Sequence, residues 1–190
     1  MIYQSMTDTG RVRTQNQDNF ANYTTKEYSL FVVADGMGGH KGGKVASKIA
    51  VDSIRNFVIE NYGLISPKSL LLQAVEFANQ EIYQKANQDK DLYNMGTTAE
   101  VLLIIDDKAF IAHIGDSRIY HHFEGKLHQI TKDDSYVQEL IDTGIKNINP
   151  KEIESYKNIV TRALGVEKKP EVSLINLEVN KGESFILCSD

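Results

Sequence analysis

The sequence contains no tryptophan, one cysteine and no long apolar segment. A single cysteine excludes both an internal disulfide and a thiolate zinc cluster, and the apolar run around Cys188 favours a buried, inert thiol. No run approaches the roughly 18 apolar residues that a membrane span needs, and residues 1–10 lack the features of a signal peptide. We therefore expect a cytoplasmic protein without a membrane span.

An excess of positive charge is also missing. The formal net charge is −5, and the Lys and Arg residues are scattered among acidic ones. Proteins that bind nucleic acid normally present a basic patch, so nucleic acid is not expected as a partner. A length of 190 residues with 41% hydrophobic content is typical of one globular domain.

Short apolar runs separated by turn-forming residues predict β-strands at 29–35, 97–106, 109–116 and 117–123. The connections are too short for crossover helices, so we predict antiparallel hairpins, including one at the "GDS" that follows Ile114. Two later runs, "EVSLINLEV" and "SFILCS", are assigned to the same sheet system.

Two long segments have apolar residues at helical spacing. The first runs from Val45 to Val58, and the second begins at Pro67, which suits a first helical turn. Two such helices should pair and lie on a sheet, which predicts a layered α+β domain. Farther along, "SYVQELIDTG" predicts a short helix, and "KNINPKEIESYKN" is interpreted as a surface flap.

The glycine-rich segment "VVADGMGGHKGGK" allows two functional interpretations besides a simple turn. Residues 38–44 match the phosphate-loop pattern G-x-x-x-x-G-K, but Val45 replaces the Ser or Thr whose hydroxyl binds magnesium. Alternatively, the Asp35 carboxylate and the Gly36 carbonyl could bind a hard divalent cation, because such ions prefer oxygen ligands and glycine permits close approach.

Three further aspartates, Asp18, Asp116 and Asp190, also end or adjoin apolar runs. Each alone is more typical of a turn, but together with Asp35 they favour a multi-metal site. Arg13 is either a surface charge or a forked donor for phosphate oxygens.

Seven motifs in sequence carry a family resemblance: "TDTGRVRTQNQDNF", "FVVADGMGGH", "MGTTAEVLLI", "AHIGDSRIY", "ITKDDSYVQELIDTG", "NIVTRALG" and "FILCSD". In this order, the chain resembles the bacterial branch of the PPM family, the metal-dependent type 2C serine/threonine protein phosphatases. The resemblance covers residues 5–190. It implies a four-layer α-β-β-α sandwich of two antiparallel sheets flanked by helix pairs.

The resemblance also implies a catalytic site with two Mn²⁺ or Mg²⁺ ions and a third, weaker ion. Asp35 would bridge the two ions and the Gly36 carbonyl would ligate one of them. Asp190 would bind a metal ion, and Asp116 would help to hold the third ion. Asp18 would act mainly through bound water, and Arg13 would bind the substrate phosphate. A water activated between the cations would attack phosphorus in line.

Some residues depart from the family pattern or have other interpretations. Met37 stands where some relatives carry a histidine, so His40 is a candidate general acid, with loop ordering or substrate contact as its alternative. Arg118 is expected to pin a loop through an ion pair. Three histidines are expected to be structural or solvent-facing: His113, His121 and His122. Three residues are expected to start a strand: Gly96, Thr97 and Thr98. Asp134 replaces the histidine usual in the family and is expected to alter only local contacts.

The resemblance implies phosphoserine and phosphothreonine proteins as substrates, modified by a bacterial serine/threonine kinase, and a monomeric enzyme. No residue matches the family's closing Asp-Asn metal motif. We therefore expect residues 1–190 to form a single domain truncated before its closing strands, with weak metal binding and poor turnover. A non-catalytic module that binds phosphoprotein or a partner domain remains the alternative.

Overall fold

The computed structural model describes residues 1–144, 153 and 155–189, apart from the side chain of His40. Its helices are α1 (Gly39–Asn61), α2 (Pro67–Gln88) and α3 (Tyr136–Asp142). Its strands are β1 (Asp18–Thr24), β2 (Ser29–Met37), β3 (Gly96–Thr97), β4 (Ala99–Ile105), β5 (Lys108–Ile114), β6 (Arg118–Phe123), β7 (Lys126–Gln129), β8 (Ser173–Glu178) and β9 (Ser184–Cys188).

The strands form two antiparallel sheets. A six-stranded sheet has the order β1-β2-β4-β5-β8, with β3 paired to the end of β2, and a three-stranded sheet has the order β7-β6-β9. Every strand pair in both sheets is antiparallel. The predicted α+β class and its pair of antiparallel sheets are confirmed.

Strand β2 contributes to two separate cores because its side chains alternate between the two faces of the sheet. Leu30, Val32 and Ala34 are buried against the helices. Phe31 points the other way and packs in the cluster between the sheets, together with Ile119 of β6 and Leu187 of β9. The six-stranded sheet is therefore the middle layer, and its end positions the candidate site.

Helices α1 and α2 form the predicted helix pair on the outer face of the six-stranded sheet, with their apolar stripes in its core. Ser66 caps α2 by accepting the Ser69 N–H, and Pro67 occupies the first turn as predicted. In the described part of the chain, no helix is long and apolar enough to cross a bilayer. Most of the segment predicted as a flap, 146–158, lies outside the described residues.

One prediction about strand pairing was wrong. Strands β5 and β6 do not form a hairpin, since the turn 115–117 carries the chain from the six-stranded sheet to the three-stranded one. Gly115 makes this crossing with a φ of 114°, which L side chains rarely adopt. The two late runs form antiparallel strands as predicted, and each joins a different sheet, because β8 pairs with β5 and β9 with β6.

Candidate active site

The end of the β1–β2 pair brings two of the predicted metal-binding residues together. Asp18 lies directly opposite Asp35 in the antiparallel register. Directly opposed residues have Cβ atoms about 4.5–5.5 Å apart on the same face of a sheet. Asp35 shares its face of β2 with Phe31, so both carboxylates lie at one end of the space between the sheets.

Backbone hydrogen bonds fix Asp35 in place. Its N–H donates to Thr98 Oγ1 at 2.9 Å, and its carbonyl accepts the Thr98 N–H at 2.9 Å and Thr97 Oγ1 at 2.8 Å. The sequence predicted only start-of-strand roles for these threonines. They also hold the strand end on which a bridging carboxylate is predicted.

Thr98 connects Asp35 to the turn that carries Asp116. Its hydroxyl lies 2.8 Å from Ser117 Oγ, and both side chains are buried. The turn fits tightly against Thr98, because a Cβ at Gly115 would lie 2.5 Å from Thr98 Cγ2. The fold therefore places the Asp116 segment next to the Asp35 segment, as the metal-site prediction requires.

The chain after β9 reaches the same place. Ser189 Oγ donates to Asp18 Oδ2 at 2.9 Å across the gap between the two sheets. Asp190 follows directly in sequence but lies outside the described residues, so its predicted metal-binding role stays a prediction. Sequence reasoning missed Ser189, although the quoted motif "FILCSD" contains it.

Helix α1 begins unusually close to the Asp35–Gly36 step. A Cβ on Gly36 would lie 2.0 Å from the carbonyl oxygen of Gly43, so only glycine fits at this strand position. Gln17, the residue before Asp18, donates from Nε2 to the Gly39 carbonyl at 2.8 Å. These contacts seat the start of the helix against both aspartate-bearing strands.

The phosphate-loop alternative for residues 38–44 was wrong. From Gly39 onward the segment is the first part of α1, not a loop. Strand β2 is antiparallel to each of its partners, whereas a phosphate loop follows a strand of a parallel sheet. The glycines instead allow α1 to approach β2.

Two further predicted residues stand at the rim of this region. Arg13 is exposed in the loop before β1, five residues from Asp18. His40 lies in the first turn of α1, but its side chain is not among those described. Their proposed contacts with phosphate and leaving group stay predictions.

The other polar assignments have clear outcomes. Arg118 binds Asp133 in a bidentate ion pair, with Nε at 2.8 Å and a terminal nitrogen at 2.6 Å, which confirms the predicted loop pin. His113 and His121 are buried and hydrogen-bonded, and His122 is exposed. Burial raises the pKa of the partly buried Cys188 thiol, which keeps it protonated and unreactive.

The described oxygen donors suit a hard divalent cation. Two like charges directly opposite each other destabilise a strand pair, and a divalent cation between them would relieve that repulsion. Among residues 1–144, 153 and 155–189, no three His, Cys, Asp or Glu side chains are grouped closely enough to hold an ion by themselves. Backbone carbonyl oxygen, water and residues outside the described set would have to complete such a site.

Comparison with known proteins identifies the family. Residues 9–190 match the family model described as "Protein phosphatase 2C". This chain belongs to the protein phosphatase 2C family. The match covers all the segments that meet at the aspartate-lined end of the sandwich.

Several bacterial phosphatase 2C relatives align along almost the entire chain. The serine/threonine phosphatase stp of Listeria monocytogenes is 37% identical over 188 residues, covering 97% of this chain and 75% of its own length. The protein phosphatase PhpP of Streptococcus pneumoniae is 38% identical over 192 residues, covering 97% and 76%.

Solved phosphatase 2C structures have the same fold. The serine/threonine phosphatase PstP/Ppp of Mycobacterium tuberculosis superimposes with a TM-score of 0.82 and 36% identity, covering 96% of this chain and 75% of that one. A catalytic-domain structure of PstP in complex with two manganese ions gives a TM-score of 0.81 and 36% identity, covering 96% and 74%.

Proposed function

We propose that this phosphatase 2C chain removes phosphate from phosphoserine and phosphothreonine in proteins, in a reaction that depends on Mn²⁺ or Mg²⁺. The observation that carries the proposal is the meeting of four segments at one end of the sandwich: Asp18, Asp35, the turn 115–117 and Ser189. Family membership and likeness to a PstP structure with two manganese ions support the same function.

Residues that would hold the cations come from each of those segments. Asp35 and the Gly36 carbonyl would bind two ions, Asp190 would ligate from beyond Ser189, Asp18 would act through water, and Asp116 would hold a third, weaker ion. Bound divalent cations acidify water and offset negative charge on phosphoryl oxygens.

The chain itself would bind the substrate and handle the proton of the leaving group. The forked guanidinium of Arg13 is suited to two phosphate oxygens at once, which would orient the phosphoryl group. The departing serine or threonine alkoxide requires a proton, and His40, at the start of α1, is the candidate donor. Thr97 and Thr98 would keep Asp35 from shifting as charge develops.

The finer properties rest on sequence reasoning. We propose that the substrates are products of a bacterial serine/threonine kinase, and that the chain acts as a monomer in the cytoplasm. The bacterial sources of the relatives support the first point. Phosphoproteomics of a deletion strain, light scattering and cell fractionation would test these three statements in turn.

The experiment that tests the function is hydrolysis of a phosphothreonine peptide by the purified chain. We expect phosphate release with Mn²⁺, its loss on chelation, and at least about a hundredfold loss in Asp35→Asn. Asp107→Asn is the matched control, because Asp107 is an exposed aspartate in the turn at the other end of β4. Equal activity in Asp35→Asn and the wild type would contradict the proposal.

The same purified chain can be used to distinguish the phosphatase from a non-catalytic binding module. The absence of a three-residue ligand group among the described side chains is the observation that favours it. Phosphopeptide binding without turnover, combined with no Mn²⁺ binding by calorimetry, would establish that alternative. Turnover that tracks Mn²⁺ occupancy would exclude it.

A further inference from the structure

A carboxyl group and a histidine are buried together beside the candidate site. Glu100 of β4 and His113 of β5 face each other in register, and each is at most 1% exposed. His113 Nδ1 is hydrogen-bonded to Glu100 Oε1, while His113 Nε2 lies 2.8 Å from the carbonyl oxygen of Lys132. Burying an ionisable pair is costly, and apolar residues of similar volume are often as stable or more stable. The pair therefore calls for a role other than stability.

The hydrogen-bond partners fix the state of the imidazole ring. A backbone carbonyl can only accept, so His113 Nε2 must carry a proton and donate it to Lys132. A proton also lies between His113 Nδ1 and Glu100 Oε1, because two atoms that both only accept would not form this hydrogen bond. Glu100 thus fixes the orientation of the ring, and the Nε2–H of that ring donates to Lys132.

The backbone runs from Lys132 to Asp134, which is hydrogen-bonded to the Asp116 turn. Two residues later, the Asp134 N–H donates to the Gly115 carbonyl at 2.7 Å, and the Gly115 N–H donates to Asp134 Oδ2 at 3.0 Å. The other side of the turn is held by Thr98 through Ser117. The turn is therefore held between Thr98 on one side and the segment 131–135 on the other, and His113 anchors that segment.

We propose that Glu100 and His113 form a positioning unit that fixes the turn 115–117, and with it Asp116, in the geometry required for cation binding. The proposal rests on the proposed phosphatase function. Neither residue contacts the substrate. Both act through Lys132 and Asp134.

The test replaces the pair by apolar residues of similar volume. The double variant Glu100→Leu/His113→Phe should keep or raise the urea midpoint of unfolding, because no unpaired buried charge remains. Its Gly115 amide should exchange hydrogen about tenfold faster in metal-free protein. The Mn²⁺ concentration for half-maximal binding should rise about tenfold, as when a residue supporting a metal ligand is lost.

Two control variants make the result specific. In Glu100→Gln, the amide group can donate to His113 Nδ1 while Nε2 still donates to Lys132, so Gly115 exchange and Mn²⁺ binding should match the wild type. His121→Phe/Glu183→Leu removes a histidine–carboxylate contact of 3.0 Å between buried His121 of the other sheet and partly exposed Glu183 in the turn before β9. It should leave Gly115 exchange and Mn²⁺ binding unchanged.

An apolar variant with wild-type exchange at Gly115 and wild-type Mn²⁺ binding would overturn the proposal. If that variant does not fold, Asp134→Ala tests the next link in the chain, because it removes the acceptor of the Gly115 N–H. Asp134→Asn, which keeps an oxygen acceptor, is its control. Wild-type exchange at Gly115 in Asp134→Ala would then refute the positioning role.

Failure of the proposed function gives a different result. In that case the wild type shows no Mn²⁺-dependent hydrolysis. Amide exchange at Gly115 needs neither metal nor turnover and still decides whether the pair positions the turn.

Discussion

A single hydroxyl group, that of Thr98, joins two segments that are far apart in sequence. It accepts the Asp35 N–H across 63 positions and contacts Ser117 across 19. No local pattern marks such a residue, which explains why sequence reasoning gave Thr98 only a start-of-strand role. By contrast, the acidic residues at strand ends could be predicted, because strand periodicity and turn residues are local signals.

We predict that Thr98→Val weakens both the fold and the metal site. Valine has a similar shape but leaves the Asp35 N–H and the Ser117 hydroxyl without their partner, which should cost about 1–3 kcal/mol of unfolding free energy. The Mn²⁺ requirement for hydrolysis should rise severalfold as Asp35 shifts. Urea unfolding and activity at graded Mn²⁺ concentrations measure the two effects.

Thr25→Val is the control for that variant. Thr25 Oγ1 accepts the N–H groups of Glu27 and Tyr28 in the β1–β2 hairpin, at the end of the strands away from Asp35. Its loss should cost stability without changing the Mn²⁺ requirement. The same change of Mn²⁺ requirement in both variants would contradict a specific role for Thr98.

Stability should fall with rising pH because of Glu100. Burial raises the pKa of Glu100 from 4.5 to about 7, while its hydrogen bond to His113 partly opposes the rise. Between those two pH values the unfolded chain has lost a proton that the folded chain still holds, so the unfolded state gains as pH rises. Burial lowers the pKa of His113, but the hydrogen bond to Glu100 and the charge of Glu100 outweigh burial, so the net pKa is raised above 6.5. Above pH 6.5 the folded chain therefore keeps a His113 proton that the unfolded chain has lost, and stability again falls as pH rises.

Glu100→Gln should remove this dependence. The unfolding free energy of the variant minus that of the wild type should increase by on the order of 3 kcal/mol between pH 4.5 and pH 7. Urea unfolding of both proteins across this range measures the difference. A difference that does not change with pH would show that Glu100 ionises normally in the folded chain.

Among the elements, the closest approach is between β2 and the start of α1. Gly36 and Gly43 meet backbone to backbone, which lets the helix begin directly behind the Asp35–Gly36 step. The sequence indicated that these glycines permit close approach of a neighbouring group, and a cation was the expected one. Only the structure shows that the neighbour is α1.

We predict that Gly36→Ala destabilises the chain by about 3 kcal/mol or more, because the new methyl group would overlap the Gly43 carbonyl and force α1 away from β2. Gly39→Ala is the graded control. A Cβ there meets no atom within 4 Å, but the φ of 76° should still cost about 1 kcal/mol. Thermal unfolding of both variants compares their losses of stability. A loss in Gly36→Ala that is equal to or smaller than the loss in Gly39→Ala would refute the close-packing argument.

Element prediction succeeded where apolar periodicity was strong. The two long helices have one apolar face each, the central strands are apolar runs that contribute to both cores, and these patterns predicted them. Strand β1, "DNFANYT", was missed because it is an edge strand with mostly half-buried side chains and no clean alternation. Strand β7 is fully exposed and gives no apolar signal.

The wrong hairpin between β5 and β6 has a different cause. A three-residue link normally indicates a hairpin, but Gly115 turns the chain out of the first sheet instead. Both strands are apolar toward the space between the sheets, so hydrophobic pattern alone does not distinguish a hairpin from a crossing. The choice depends on the contact of Gly115 with Thr98, which is a tertiary interaction.

At the scale of the molecule, the two sheets and the helix pair bring distant carboxylates to one end of the fold. Asp18 and Asp35 come together through β1–β2 pairing, the Asp116 turn joins them through Thr98, and β9 delivers Ser189 from the other sheet. The sequence could predict the set of aspartates and the family they resemble. It could not predict the hydrogen bonds that assemble them.

The most direct measurement is anomalous X-ray scattering at the manganese absorption edge from crystals of this chain grown with Mn²⁺. We predict anomalous peaks within about 2.5 Å of the Asp35 carboxylate oxygens and their loss in Asp35→Asn crystals. Manganese bound only elsewhere on the molecule, or no manganese at all in the wild type at saturating Mn²⁺, would contradict a cation site at this end of the sandwich.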